Sequence, residues 1–304
     1  MFLSLKMNSE IDPVDLTGKK IFISGGSRGL GLAFAKTLLK SGADIAFCGR
    51  DQENVFKAHT ELEKLKRIHT TSKIFSLAID IGNIDEVENL QNKILKEFGE
   101  VDILISNAAI IGPIGSFVNS DLKEWESALR VNLMGSLFLI HKFLPDMIKN
   151  GGGKVIQISG GGATSPMPNF SSYAASKSAV VRFIETLSME CKEFNININA
   201  VAPGIQKTLM NQEMIEAGSE VIGKILYNDL LMKSKSEMDL TQKACDLIKF
   251  LVSDKSDGIT GKLISAEWDN WIDWPNHISE LQDSKLYTLR RIVARDLGFT
   301  WGDI

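Results

Sequence analysis

The residues best suited to moving a proton are Tyr173 and Lys177, in the run Tyr173-Ala174-Ala175-Ser176-Lys177. On a helix they lie one turn apart on the same face. A free tyrosine titrates at about 10, too high for a neutral-pH base, and a nearby ammonium favours the phenolate. Such a pair suits proton transfer to or from a carbonyl oxygen, but Y-x-x-x-K also arises by chance on ordinary helices. The second feature is SGGSRGLG at residues 24–31, four glycines directly after the apolar run Ile21-Phe22-Ile23. Such a cluster is a turn, a linker or a surface that a ligand approaches closely. In the last case, backbone N–H groups at a helix start would face a pyrophosphate. The spacing Gly25-x-x-x-Gly29-x-Gly31 departs from G-x-G-x-x-G.

These residues need elements to hold them. Short β-branched runs at 20–24, 44–48, 74–79, 101–106, 154–158, 196–202 and 262–265 read as strands. Segments of helical period at 30–40, 53–66, 84–98, 122–148, 172–194 and 241–253 separate them. Strict alternation of this kind predicts an α/β fold, a parallel sheet covered by helices on both faces. Ligands then bind beyond the carboxyl ends of the strands, so the residues after each strand carry the information.

The second strand ends in Cys48-Gly49-Arg50, where a NAD enzyme usually has an acidic residue for the ribose. Arg50 and Arg28 instead present two guanidinium groups that suit a 2′-phosphate. Arg50 also reads as a solvated charge that Asp51 neutralises. Asp80-Ile81 and Asn107-Ala108 end the third and fourth strands, as cofactor contacts or as caps and turns.

Ser24-Gly25-x-x-x-Gly29-x-Gly31, Asp80, Asn107-Ala108, Asn132, Tyr173-x-x-x-Lys177 and Pro203-Gly204 occur in order at loop ends. Over roughly residues 16–265 this set resembles the classical short-chain dehydrogenase/reductase family, especially its 3-oxoacyl-carrier-protein reductase-like members. The resemblance implies a single doubly wound Rossmann-type sheet of about seven strands. It implies ketone–alcohol interconversion by hydride transfer with a nicotinamide cofactor, and a homodimer or homotetramer; the two arginines favour NADP(H), NAD(H) being the second choice. Tyr173 would be the general acid and base, Lys177 would hold the nicotinamide ribose and depress the tyrosine pKa, and Asn132 would anchor a relay water. Gly25, Ser27, Arg28, Gly29, Leu30 and Gly31 would line the pyrophosphate and ribose, with Arg50 at the 2′ position. Asp80 and Ile81 would line the adenine, Asn107 and Ala108 the adjoining ribose, and Pro203, Gly204 and Thr208 the nicotinamide.

Beside two tolerable changes, Ser24 for the family's usual threonine and Ala109 for a glycine, the sequence departs from the family in two more consequential places. Counting back from Tyr173, the position of the family's catalytic serine holds Gly160, with Ser159 one residue early. Either Ser159 or a nearby hydroxyl takes that role, or it is missing. The missing case supports an alternative function, a dinucleotide-binding sensor or scaffold with weakened catalysis. An extended-type sugar-nucleotide epimerase is disfavoured, because its G-x-x-G-x-x-G spacing is absent. The other departure is a tryptophan-rich extension, 266–304, beyond a 1–265 dinucleotide-binding domain; it holds four of the five tryptophans. It reads as packing on the domain or a neighbouring subunit. Alternatively, its indoles with Glu267 and Asp269 form a pocket wall for a polar ring such as a sugar. Residues 205–239, with Met210, Met214, Ile215, Ile222, Ile225, Leu226 and Leu230, suit an amphipathic lid helix.

Bulk composition bounds these readings. The 304 residues are 44% hydrophobic and 24% charged with a formal net charge of −4, which gives no electrostatic reason to expect nucleic acid or anionic membrane. Three scattered cysteines and four histidines show no disulfide or metal-ligand spacing. The opening MFLSLKMNSE is too interrupted for a signal peptide, and no run of about 18 apolar residues suggests a membrane span. The expectation is a cytoplasmic enzyme acting on a small molecule, without a metal.

Overall fold

The computed structural model describes residues 14–69, 71–235, 241–282 and 284–301. The opening ten residues, the end of the lid segment at 236–239, and residues 283 and 302–304 of the extension lie outside the described residues. In chain order the first elements are β1 (Lys20–Ser24), α1 (Gly29–Lys40), β2 (Asp44–Gly49), α2 (Gln52–His69), β3 (Ile74–Ala78), α3 (Ile84–Glu97) and β4 (Ile103–Ser106). Then come α4 (Leu122–Leu129), α5 (Gly135–Lys149), β5 (Gly153–Ile158), α6 (Ser171–Glu190) and β6 (Ile196–Ala202). The chain continues through α7 (Leu209–Ala217), α8 (Ser219–Ile222), α9 (Lys224–Lys235), α10 (Gln242–Val252), β7 (Leu263–Ser265) and α11 (Ile278–Gln282).

The seven strands form one parallel sheet in the order β3-β2-β1-β4-β5-β6-β7. Strands buried on both sides need apolar side chains in both directions. Accordingly Ile21, Ile23, Ile45, Phe47 and Ile156 join one core with α1, α2 and α10, while Phe22, Ala46, Leu104 and Val155 join the other with α3, α5 and α6. Phe22 stacks on Phe143 of α5 with centroids 5.1 Å apart. Among the described residues no helix is long and apolar enough to cross a membrane.

Two expected helices are interrupted. The segment 122–148 contains a π-turn at Arg130–Met134 between α4 and α5, and the turn holds Asn132. The lid segment is three short helices, because Gly218 and Gly223, both at φ 83°, end α7 and α8. Met214, Ile222 and Leu230 face inward from it, whereas Ile225, expected on the apolar face, is 90% exposed.

The extension splits its tryptophans. Trp271 and Trp274 are buried in the core that α10 lines, Trp271 against Phe250 at 5.4 Å. Trp268 and Trp301 are exposed. Residues 284–289 then run along the outer edge of β7. The Leu263 N–H donates to Tyr287 O at 2.8 Å, and Lys262 Nζ donates to Ser284 O and Leu286 O. The strap is tied to α6: Leu289 N–H donates to Glu185 Oε1 at 2.6 Å, and the Arg182 guanidinium donates to Leu289 O. Tyr287 packs on Trp274 with centroids 4.4 Å apart.

Removing a buried indole loses its transfer energy and leaves a cavity, so Trp271→Ala and Trp274→Ala should each cost about 3–5 kcal/mol. Trp268→Ala, at an exposed site, should stay within about 0.5 kcal/mol. Urea titrations of the three variants give this ranking directly.

Candidate active site

A cleft of about 1690 Å³ runs along the carboxyl ends of the strands. It is lined by Gly25, Ser27, Arg28, Gly29, Leu30 and Gly31 from the first loop, and by Arg50, Asp80, Ile81, Asn107 and Ala108 from the next three. Ser159, Tyr173, Lys177, Pro203, Gly204 and Thr208 line its other half. Of the catalytic and cofactor-contacting candidates from sequence, Asn132 alone stands behind this surface, fully buried.

The glycine loop is fixed by contacts that exclude side chains. Gly25 has φ 66°, and a Cβ there would lie 2.8 Å from Ala108 Cα. A Cβ on Gly31 would lie 2.2 Å from Gly25 O and 2.6 Å from Asn107 Nδ2. Ser24 Oγ accepts the N–H groups of Asn107 (2.9 Å) and Ala108 (3.1 Å), joining the ends of β1 and β4. Asn107 Nδ2 returns to Ser24 O and Gly25 O at 3.0 and 3.2 Å, so its amide braces the loop from behind. Arg28 precedes α1 without a capping side-chain bond, which leaves the first amides of α1 facing the cleft.

The end of β2 is shaped by a second exclusion. A Cβ on Gly49 would stand 2.3 Å from Ser27 Oγ, so an acidic side chain does not fit there with Ser27 in place. Arg28 and Arg50 are exposed, and their guanidinium groups make no ion pair or hydrogen bond among the described residues. The Asp51 carboxylate accepts Asn54 N–H at 2.8 Å at the start of α2 and does not pair with Arg50. Asp80 Oδ1 accepts Gly82 N–H at 2.9 Å, shaping the turn beside the cleft.

At the other end, Lys177 Nζ donates to Ile158 O at 3.0 Å and lies 5.6 Å from the Tyr173 ring centroid. Burial pushes the Tyr173 phenol up to about 12 and the Lys177 ammonium down to about 8. The expected depression of the tyrosine is therefore not seen, because desolvation outweighs the ammonium at this separation. A Cβ on Gly160 would lie 2.6 Å from the Tyr173 hydroxyl, so it is position 160 that faces the phenol. Ser159 donates its N–H to Val201 O at 2.7 Å, while its Oγ is buried without a partner.

Asn132 is committed to the backbone. Its Oδ1 accepts Ile110 N–H at 2.8 Å, and its Nδ2 donates to Ile110 O at 2.9 Å and Ser176 Oγ at 3.0 Å. Ser176 Oγ in turn donates to Tyr173 O at 2.7 Å. Ser176 had no assigned role; a serine that bonds the carbonyl three residues back on a helix was the available signal. The lid closes over the centre: Thr208, the cap of α7, puts Cγ2 3.5 Å from where a Gly29 Cβ would be. Phe170, Met214 and Leu230 share one buried apolar cluster with Tyr173.

The chain matches the short chain dehydrogenase family profile over residues 19–218. It is 30% identical over 252 residues to a 3alpha-hydroxysteroid dehydrogenase of Mediterraneibacter gnavus, covering 83% of this chain and 96% of that protein. It is 28% identical over 247 residues to the Caenorhabditis elegans dehydrogenase/reductase SDR family member 4, covering 81% and 93%. The crystal structure of levodione reductase superposes with a TM-score of 0.74 at 23% identity, covering 82% of this chain and 96% of that one.

Lys177 also supplies a stability signature. Its pKa is about 8 folded against 10.5 free, so between those values the unfolded chain binds more protons and stability rises with pH. The gain across the window should be on the order of 3 kcal/mol. In denaturation experiments the stability difference between wild type and Lys177→Met should shift toward the wild type by this amount between pH 8 and 10.5, because the opposing effects of Cys48 and Tyr173 and the parallel ones of Lys154 and Lys262 are common to both.

Proposed function

The chain belongs to the short-chain dehydrogenase family, the NAD(P)-dependent oxidoreductases of CH–OH groups, and on that premise we propose that it interconverts a ketone and a secondary alcohol with NADP(H), Tyr173 being the general acid and base. One observation carries this reading: the Tyr173 hydroxyl and Lys177 ammonium share one continuous cleft with the glycine loop.

The residues fit a dinucleotide. The crowded glycine loop admits a pyrophosphate against bare backbone, with the amides of α1 as donors. Arg28 and Arg50, unpaired and exposed, favour a 2′-phosphate, and the side-chain-free Gly49 leaves no carboxylate to repel it. Bound there, the nicotinamide would supply or accept the hydride. The work of this chain is then to hold the carbonyl and to move its proton.

In reduction the Tyr173 hydroxyl donates its proton to the carbonyl oxygen, and in oxidation the phenolate takes it back. Burial keeps the phenol protonated at neutral pH, the form a general acid requires. As the proton leaves, the Lys177 ammonium 5.6 Å from the ring stabilises the phenolate by about 3 kcal/mol at an effective dielectric of about 20. Asn132 acts by position, joining Ile110 to Ser176 and so fixing the turn of α6 that carries Tyr173. Gly160 gives the substrate oxygen no hydroxyl, and Ser159, which also lines the cleft, has its N–H bonded to Val201 O and its Oγ buried.

Tyr173→Phe should lower kcat by about 10²–10⁴-fold while NADPH titration gives a Kd within about twofold of wild type. Retained turnover in that variant would refute the mechanism, and NADPH binding by wild type without turnover of any carbonyl would favour the sensor reading. Arg50→Ala should raise the Kd for NADPH about 10- to 100-fold, one charge-assisted bond, and leave NADH unchanged. Equal effects on both dinucleotides would overturn the NADP preference.

A further inference from the structure

The cleft continues past Tyr173 to the ends of β6 and β7, where its lining changes character. Glu267 stands over Gly204, whose Cβ would lie 2.9 Å from the carboxylate, and pairs with Lys233 at 3.4 Å. Lys233 is already 3.8 Å from Asp229, so its charge is shared between two carboxylates. Gln206 is 6% exposed; its Nε2 donates to Pro203 O at 2.6 Å, while its Oε1 is buried without a partner. Trp268, also on the cleft, is 82% exposed and makes no ring contact among the described residues. Its turn is nonetheless well fixed. Ser265 Oγ accepts the N–H groups of Glu267 and Trp268 at 3.3 and 3.2 Å, and Asp269 Oδ2 accepts Ser265 N–H at 2.7 Å.

These groups are mainly hydrogen-bond acceptors, and the carboxylates of Asp229, Glu267 and Asp269 outnumber the ammonium groups of Lys207 and Lys233 on this part of the cleft. Such a wall repels an anionic ligand and complements O–H donors. The indole adds a flat apolar face, held in place and left in water. A ligand with C–H groups on its face and O–H groups around its rim satisfies both halves. We propose that this end of the cleft is a subsite for a neutral polyhydroxylated ring of the substrate, a glycosyl or cyclitol unit, stacked on Trp268 and donating O–H to Gln206 Oε1 and Glu267. The proposal rests on the oxidoreductase reading above and assigns its substrate class. Met214 and Leu230 of the lid, which share a buried cluster with Tyr173, give the same cleft an apolar side beside this polar end.

The test uses the full chain with NADP+ and a panel of neutral pyranosides and cyclitols, set against cyclohexanol and its alkyl homologues. At least one panel member should be oxidised. Trp268→Ala should raise its KM about tenfold, equivalent to about 1.4 kcal/mol, with kcat within about twofold, and Trp268→Phe should recover most of the loss. Gln206→Leu should weaken the same substrates and leave alkyl cyclohexanols unchanged. The subsite is overturned if the apolar alcohols react while every panel member is inert. It is equally overturned if Trp268→Ala leaves KM unchanged, or if that variant alters the mass in solution, which would make Trp268 a subunit contact. Parallel NADPH and NADH titrations separate the two levels: intact binding of either with no response to polyols removes the subsite alone, and absent binding of both removes the oxidoreductase reading with it.

Discussion

The hydroxyl of Ser24 sits where the sheet order reverses, between β1 and β4, and accepts two backbone N–H groups from the end of β4. At that reversal the connections leave toward opposite faces of the sheet, so a crevice opens and the backbone groups around it lose ladder partners. Ser24 and Asn107 supply those partners from the strand ends themselves. The loop is thereby closed from behind, and its glycines present bare backbone to the cleft between the side chains of Ser27, Arg28 and Leu30. Much else depends on this: the glycines at 25 and 31 are required because the clamp leaves no volume for a Cβ, and α1 starts where its open amides can meet an anion.

The far end of the cleft is organised by desolvation. Burial moves Tyr173 and Lys177 in opposite directions, toward the neutral form of each. A buried phenol is a poor spontaneous acid, and the nearby amine is costly to keep charged. Placing them together makes each the other's natural counter-charge at the moment of proton transfer. Their relative position is held by a chain of bonds from the π-turn through Asn132 and Ser176 to the carbonyl of Tyr173. That an irregular turn supplies the anchor fits the general association of π-turns with functional sites.

The strands were legible because each is a short apolar run bounded by turn residues; β1 and β6 begin and end where the β-branched pattern does. The cleft residues were legible for the same reason, since strand ends in a parallel sheet fix which loops meet. Three things were not. The break in the helical period at 130–134 leaves no mark on hydrophobic spacing, because a single wide turn shifts the pattern by less than one residue. The lid's division into α7, α8 and α9 depends on two glycines at positive φ, which a periodicity reading passes over, and it sends Ile225 to solvent. The partition of the tryptophans is set by packing: Trp271 and Trp274 find a core beside α10, and Trp268, three residues earlier, does not.

The strap at 284–289 has a bearing on how the molecule is made. It covers the outer edge of β7, the kind of unpaired edge that otherwise recruits foreign strands. Domains assemble from the N-terminus during synthesis, and the cover at 284–289 is made after the strand it covers. Until it emerges, the nascent sheet carries an open edge. A chain cut short before residue 284 would keep its strands yet stay adhesive.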